Sequence, residues 1–209
     1  MIVSSPEKEL KALKSKFFSY KEDSPLAIII TTFITAFLCY FYHMVYGLGC
    51  PDTLTEGVYY YRNADFATSL ARWMIRFLNE FYGHNVVIPA VIVLLYCAMV
   101  GASAYIICRM IKLSEPLYQI MLAAMMVSFP VVLHHFAYMY MALAYSFSLL
   151  TVTLGILLIR TLKIPGIITG TVAFLLMMGS YQSYIAAIST LAVILLIYDS
   201  LNEKKISTA

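Results

Sequence analysis

The chain has 209 residues, of which 62% are hydrophobic and 12% are charged, about half the charged fraction of a typical soluble domain. A soluble domain of this length could not bury that much apolar surface, so the composition excludes a water-soluble fold and indicates an integral membrane protein. The formal net charge of +3 is too small to indicate a nucleic-acid-binding protein.

The chain begins with a polar segment, residues 1–24, that carries five lysines among acidic residues. Leu10, Leu13 and Phe17 are spaced for one helical face, which favours a short helix on an anionic membrane surface. The apolar run over 26–48 that follows contains no formally charged residue. It is too long for the core of a cleavable signal peptide, so it predicts a first transmembrane helix.

Long apolar runs predict five further crossings. Residues 116–159 include no charged residue, and as one helix they would extend about 66 Å, roughly twice the hydrocarbon thickness. They must therefore form two spans, with a turn at 134–138. Residues 164–198 are also uncharged, and they break most naturally at the polar stretch 179–184. The predicted transmembrane domain, 25–200, thus contains six spans: 26–48, 86–108, 116–134, 140–159, 164–180 and 183–198.

Basic residues favour one orientation of these six spans. Eleven of the fourteen lysines and arginines lie on the side of the N-terminal segment, the 109–115 loop, the 160–163 turn and the tail 201–209. The remaining three lie in the loop 49–85. Because cytoplasmic loops carry an excess of Lys and Arg, we predict that both termini are cytoplasmic and that the loop 49–85 is on the outer side.

The outer loop contains a helical pattern that is amphipathic rather than apolar. Apolar residues recur at steps of three and four, with a polar stripe beside them. The apolar residues are Phe66, Leu70, Trp73, Phe77 and Phe81, and the polar ones are Asp65, Ser69, Arg72, Arg76 and Glu80. The pattern predicts a helix over 64–82 that lies flat in the outer interface, its aromatic side chains in lipid and its arginines near phosphates. Such a helix is either a plain anchor or part of an active site.

Asp52 and Glu56 follow the first span within a few residues. A carboxylate there is either a general base for chemistry at the membrane surface or an ordinary solvated loop charge. The adjacent His134 and His135 lack metal-ligand spacing and predict a polar turn, and His43 predicts a satisfied interior or interface histidine. No residue set predicts a metal site and no motif indicates a cofactor, although the loop carboxylates are compatible with a divalent cation.

Four short stretches carry a resemblance to a known family. They are Pro51-Asp52, Tyr61-Arg62-Asn63-Ala64-Asp65, Ala71-Arg72-Trp73 and Ser180-Tyr181-Gln182-Ser183-Tyr184. Together they resemble the GtrII family, the serotype-converting O-antigen glucosyltransferases of bacteria and their prophages, and the similarity extends over most of the chain. Ala71 departs from the family, in which Gly commonly precedes the Arg-Trp pair. Family members continue with further spans and an outer domain, so the resemblance implies that this chain corresponds to their N-terminal half.

The resemblance implies an all-α, GT-C-like glycosyltransferase in the bacterial inner membrane. Such an enzyme moves a sugar, here glucose, from a polyprenyl-phosphate carrier to a hydroxyl of a lipid-linked glycan, and it binds membrane lipids but no nucleic acid. The implied general base is Asp52, followed by Glu56 and Asp65. The implied substrate-binding residues are Arg62, Arg72, Arg76, Trp73, Tyr181, Gln182 and Tyr184. Two other functions remain open: a lipid-linked sugar transporter or flippase, and a non-catalytic or truncated membrane subunit.

Overall fold

The computed structural model of the chain describes residues 25–46, 72–82 and 88–207. All regular structure in those ranges is helical, which confirms the predicted all-α class. The helices are α1 (Pro25–Tyr46), α2 (Trp73–Tyr82), α3 (Pro89–Met110), α4 (Pro116–Ser128), α5 (Pro130–Ala137), α6 (Met139–Thr161), α7 (Lys163–Ser180) and α8 (Ile185–Ser207), with a 3₁₀ turn at Gln182–Tyr184 before α8. The predicted surface helix in 1–24 lies outside the described residues.

Five helical segments are long and apolar enough to cross a membrane. They are Pro25–Tyr46, Pro89–Met110, Pro116–Ala137, Met141–Thr161 and Gln182–Asn202. A sixth apolar helix, Ile164–Ser180, is shorter. It corresponds to the fifth predicted span, 164–180. That span is short because the polar stretch 179–184 ends the apolar run.

Proline sets several helix boundaries. Helices α3, α4 and α5 each have proline in the first turn, where its fixed φ fits the helix and its missing N–H costs no hydrogen bond. Pro130 thereby divides one membrane crossing into α4 and α5, with Phe129 in an extended conformation between them. The chain then reverses at Tyr138, within the predicted turn.

Helix α6 lies at the centre of the bundle. It packs against α3 and α7, and it also touches α2, α5 and α8, while α1 packs on α3 and α4. Helices α6 and α7 approach closely because both have glycine at their crossing: a Cβ on Gly170 would lie 2.8 Å from the carbonyl oxygen of Gly155. Small residues of this kind let backbones meet where lipid supplies no hydrophobic driving force.

One end of the bundle, here called the loop end, is formed by the C-termini of α1, α5 and α7 and the N-termini of α3, α6 and α8. Helix α2 lies there, in contact with α6 and α7. Met74 and Ile75 are buried and face the bundle, whereas Trp73 and Phe77 are 48% and 58% exposed. The Trp73 indole also packs on α7, since a Cβ on Gly179 would lie 2.6 Å from its Nε1. That the aromatic side chains of α2 face lipid stays a prediction. The apolar face toward the protein was not part of the sequence prediction.

Candidate functional site

Arg72 lies at the loop end in an unusual environment for a charged side chain. It immediately precedes α2 and is half-buried, and its guanidinium carbon lies 4.9 Å from the centroid of the Tyr181 ring. This cation–π contact stabilises a charge in a partly desolvated position. The Nε–H is buried and has no hydrogen-bond partner among the described residues. An unsatisfied buried donor costs about 1–3 kcal/mol, so an acceptor placed at this Nε–H would stabilise the guanidinium.

Tyr181 occupies the break between α7 and the 3₁₀ turn. Its backbone is extended (φ −155°, ψ 104°), so the chain leaves the helix there and directs the ring under Arg72. Tyr184 follows at a ring distance of 6.2 Å, and both tyrosines pack against the buried aromatic core. Gln182 lies half-buried in the same turn. The polar stretch that the sequence singled out therefore forms one wall of the site.

A chain of ring contacts runs from Tyr181 into the bundle. Tyr145 of α6 meets Tyr181 edge to face, with 4.6 Å between centroids, and it stacks on His135 of α5 at 4.2 Å. His135 Nδ1 lies 2.7 Å from the Tyr96 hydroxyl of α3, within hydrogen-bond distance. Phe136 packs edge-on against Tyr96 at 4.8 Å. Three helices and the turn after α7 are thus joined by aromatic and hydrogen-bond contacts beneath the guanidinium.

Tyr40 extends these contacts to α1. Its ring meets Phe136 at 4.8 Å, and its hydroxyl donates a 2.6 Å hydrogen bond to the carbonyl oxygen of Val127. Val127 lies in the last turn of α4, where carbonyls lack helical partners. The tyrosine therefore satisfies a buried helix end next to the Pro130 break.

The structure brings together only part of the predicted site. Arg72, Trp73, Tyr181, Gln182 and Tyr184 all lie at the loop end. Arg76 lies in α2, but its side chain is not among the described ones. The proposed base and one arginine fall outside the described residues: Asp52, Glu56, Asp65 and Arg62.

The histidines differ from their simple sequence interpretation. His135 belongs to the buried contact chain rather than to a polar turn, while His134 is exposed and touches the Tyr138 ring at 5.2 Å. His43 is not fully satisfied, because its buried Nδ1 has no hydrogen-bond partner in the described part of the chain. Within that part, no three His, Cys, Asp or Glu side chains are grouped so that they could hold a metal ion.

Comparison with protein families gives a match over much of the chain. Residues 55–208, more than half of the chain, match the family described as "Glucosyl transferase GtrII". This range includes Arg72, Tyr145 and Tyr181. No curated protein and no solved structure gives a significant match.

Proposed function

The chain belongs to the GtrII glucosyltransferase family, and from this membership we propose that it transfers glucose from a polyprenyl-phosphate carrier to a hydroxyl of a lipid-linked glycan such as O-antigen. The reaction takes place at the outer face of the bacterial inner membrane, and both termini are cytoplasmic. The excess of basic residues on the side of the termini supports this orientation.

The environment of the Arg72 guanidinium is the observation that supports the proposal most directly. A polyprenyl-phosphate sugar brings its phosphate to the membrane interface, and the phosphate gains negative charge as the sugar departs. A guanidinium with an unpartnered buried donor matches this requirement, since Arg binds phosphate through several N–H groups at once. Donors that are already in place stabilise the charge of the transition state without reorganisation. We therefore assign Arg72 to the donor phosphate, with Arg62 and Arg76 as further candidates.

The transfer step needs a proton acceptor as well. The oxygen of the acceptor hydroxyl forms a bond to the anomeric carbon of glucose, the bond from that carbon to the phosphate oxygen breaks, and the electron pair leaves with the polyprenyl phosphate. The hydroxyl proton passes to a carboxylate acting as general base. We propose Asp52 for this role, because it follows the first predicted span within a few residues in the sequence, with Glu56 and Asp65 as alternatives.

Tyr181, Tyr184 and Gln182 are proposed to contact the sugar. Aromatic faces pack against the C–H faces of sugar rings, and an amide can donate to and accept from sugar hydroxyls. Trp73 is 48% exposed and rests beside Gly179 of α7, and the exposed part of its indole is suited to contact the prenyl chain or neighbouring lipid.

A transport function is less well supported. A carrier for lipid-linked sugars needs polar groups facing a central pathway. The buried hydroxyl groups of α6, such as those of Ser148 and Thr151, donate hydrogen bonds to carbonyl oxygens three or four residues earlier in the same helix. Their burial is therefore explained by local pairing, and they do not require a polar cargo.

Transfer of radiolabelled glucose from polyprenyl-phosphate-glucose tests the proposal. Asp52→Asn keeps the shape of the side chain but removes the base, so we expect transfer to fall by about 10²–10⁴-fold at an unchanged protein level. If Glu56→Gln or Asp65→Asn abolishes transfer instead, the base is one of those residues. If all three variants keep normal activity, the loop has no catalytic carboxylate and this mechanism is wrong.

A further inference from the structure

The position of the Arg72 guanidinium depends on the ring beneath it. Tyr181 has left the helix α7, and its ring is placed by its neighbours rather than by regular helical geometry. Tyr145 supports it edge to face, with an interplanar angle of 83°. Since Tyr145 is only 7% exposed, it has little freedom to move away. A displacement of Tyr145 would therefore be transmitted to Tyr181 and to Arg72.

Tyr145 in turn rests on His135. The two rings stack with an interplanar angle of 27°, so the plane of the imidazole sets the plane of the tyrosine. His135 lies on the eight-residue helix α5, which the Pro130 break separates from α4. A helix of this length is only marginally stable by itself, so α5 and the imidazole that it carries depend on contacts with the neighbouring helices.

Tyr96 supplies that contact. Its hydroxyl lies 2.7 Å from His135 Nδ1, and the Tyr96 side chain is 2% exposed. Helix α3 thus anchors the imidazole through one part-buried hydrogen bond. A hydrogen bond between two aromatic side chains also constrains the angle of each ring, which a simple apolar contact would not do.

We propose that His135, held by Tyr96, is a positioning residue that places the Arg72 guanidinium through the stacked rings of Tyr145 and Tyr181. His135 itself does not touch the substrate. This inference rests on the proposed function, because the donor phosphate is the group that the guanidinium holds. It adds to the reaction His135 of α5, which the sequence pattern assigned only to a polar turn, and Tyr96 of α3, which it did not single out.

Three substitutions at His135 separate its hydrogen bond from its ring. His135→Phe keeps the stacked ring but loses the bond to Tyr96, and we expect the KM for polyprenyl-phosphate-glucose to rise about fivefold, the usual worth of one buried hydrogen bond. His135→Asn returns a polar atom near the Nδ1 position and should recover part of this loss. His135→Gln carries its amide further out, toward the Nε2 position, and should recover less. His134→Phe is the matched control, and its KM should stay at the wild-type value.

The double variant His135→Phe/Arg72→Ala distinguishes an effect on the position of Arg72 from a general effect on folding. If His135 acts through Arg72, His135→Phe should have no further effect on transfer once the guanidinium is absent. If His135→Phe lowers transfer equally in both backgrounds, or if the Asn, Gln and Phe variants do not differ in KM, the positioning role is overturned.

Trp73 provides a readout that needs no catalysis. It is the only tryptophan in the chain, it directly follows Arg72, and its emission can be followed as polyprenyl phosphate is added. His135→Phe should shift the emission and weaken binding of this lipid, and His135→Asn should partly restore both. If the wild type binds the lipid in this way but transfers no glucose, the proposed function fails while the positioning role stands. Identical emission and affinity in all variants would overturn the positioning role, whatever the activity.

Discussion

Gly179→Ala probes the packing that holds α2 against the bundle. A Cβ at this position would overlap Cε2 of the Trp73 indole, and it would lie 2.6 Å from Nε1 and 2.7 Å from Cζ2. Carbon atoms in ordinary contact are about 3.5–4.0 Å apart, so the ring must withdraw by about 1 Å. Overpacking of this kind costs roughly 1–3 kcal/mol. The indole can retreat toward lipid, because it is 48% exposed, and the fold should therefore survive.

Gly179→Ala should also lower activity, because Trp73 directly follows Arg72 and a shift of the indole moves the guanidinium. The guanidinium of Arg72 is 4.9 Å from the Tyr181 centroid, and cation–π attraction becomes weak beyond about 6 Å. A shift of about 1 Å at the start of α2 moves the charge close to that limit. Loss of about 1–2 kcal/mol corresponds to a 5- to 30-fold fall in glucose transfer. The assay is transfer from polyprenyl-phosphate-glucose, with Trp73 emission recorded on the same samples.

Two controls make the result specific. Gly155→Ala creates a similar clash, since its Cβ would lie 2.6 Å from Cε1 of Phe174, but it is remote from the loop end and should lower stability without the same loss of transfer. Trp73→Ala removes the ring that Gly179→Ala would strike, so the double variant should be no worse than Trp73→Ala alone. If Gly179→Ala keeps wild-type transfer and emission, α2 does not pack on α7 as described.

The other predictions concern topology, depth and charge. In intact cells, and in a background whose four native cysteines are replaced by serine, a reagent that cannot cross the inner membrane should label a cysteine introduced at Thr55, but not one at Ser114 or Ser207; labelling of the last two would contradict the six-span orientation. Lipids brominated near the headgroup should quench Trp73 more than lipids brominated at the chain ends, and the opposite order would mean that α2 does not lie at the interface. Arg72→Lys should keep only part of the donor affinity, because an ammonium lacks the guanidinium fork; full activity in this variant would argue against multidentate phosphate binding.

Much of the fold follows from the sequence because membrane helices obey simple length rules. The uncharged run 116–159 was too long for one crossing, and the structure does divide it, with a reversal at Tyr138. The polar stretch 179–184 was likewise expected to interrupt the last apolar run, and α7 ends at Ser180. In both places, the length of the apolar run and the polar residues within it are incompatible with one continuous membrane helix. Both features can be read from the sequence.

The inner side of the site was not predictable in the same way. The contacts among Tyr96, His135 and Tyr145 join three helices, and Tyr96 precedes His135 by 39 residues, so nothing in their local spacing indicates that they meet. The adjacent histidines suggested only a turn, since their partners lie on other helices. Met74 and Ile75 of α2 were also missed: the amphipathic pattern identifies a lipid-facing and a polar side, but it does not reveal that a third side packs on protein.

We propose that this chain moves glucose from a lipid phosphate with the help of Arg72. The most direct measurement places the wild type and Arg72→Ala in liposomes with a lipid-linked glycan acceptor and supplies radiolabelled polyprenyl-phosphate-glucose or UDP-glucose. We expect the wild type to transfer label from the lipid donor and not from the nucleotide sugar, and Arg72→Ala to lose most of this transfer. Transfer from UDP-glucose alone, no transfer from either donor, or equal activity in Arg72→Ala would contradict the claim.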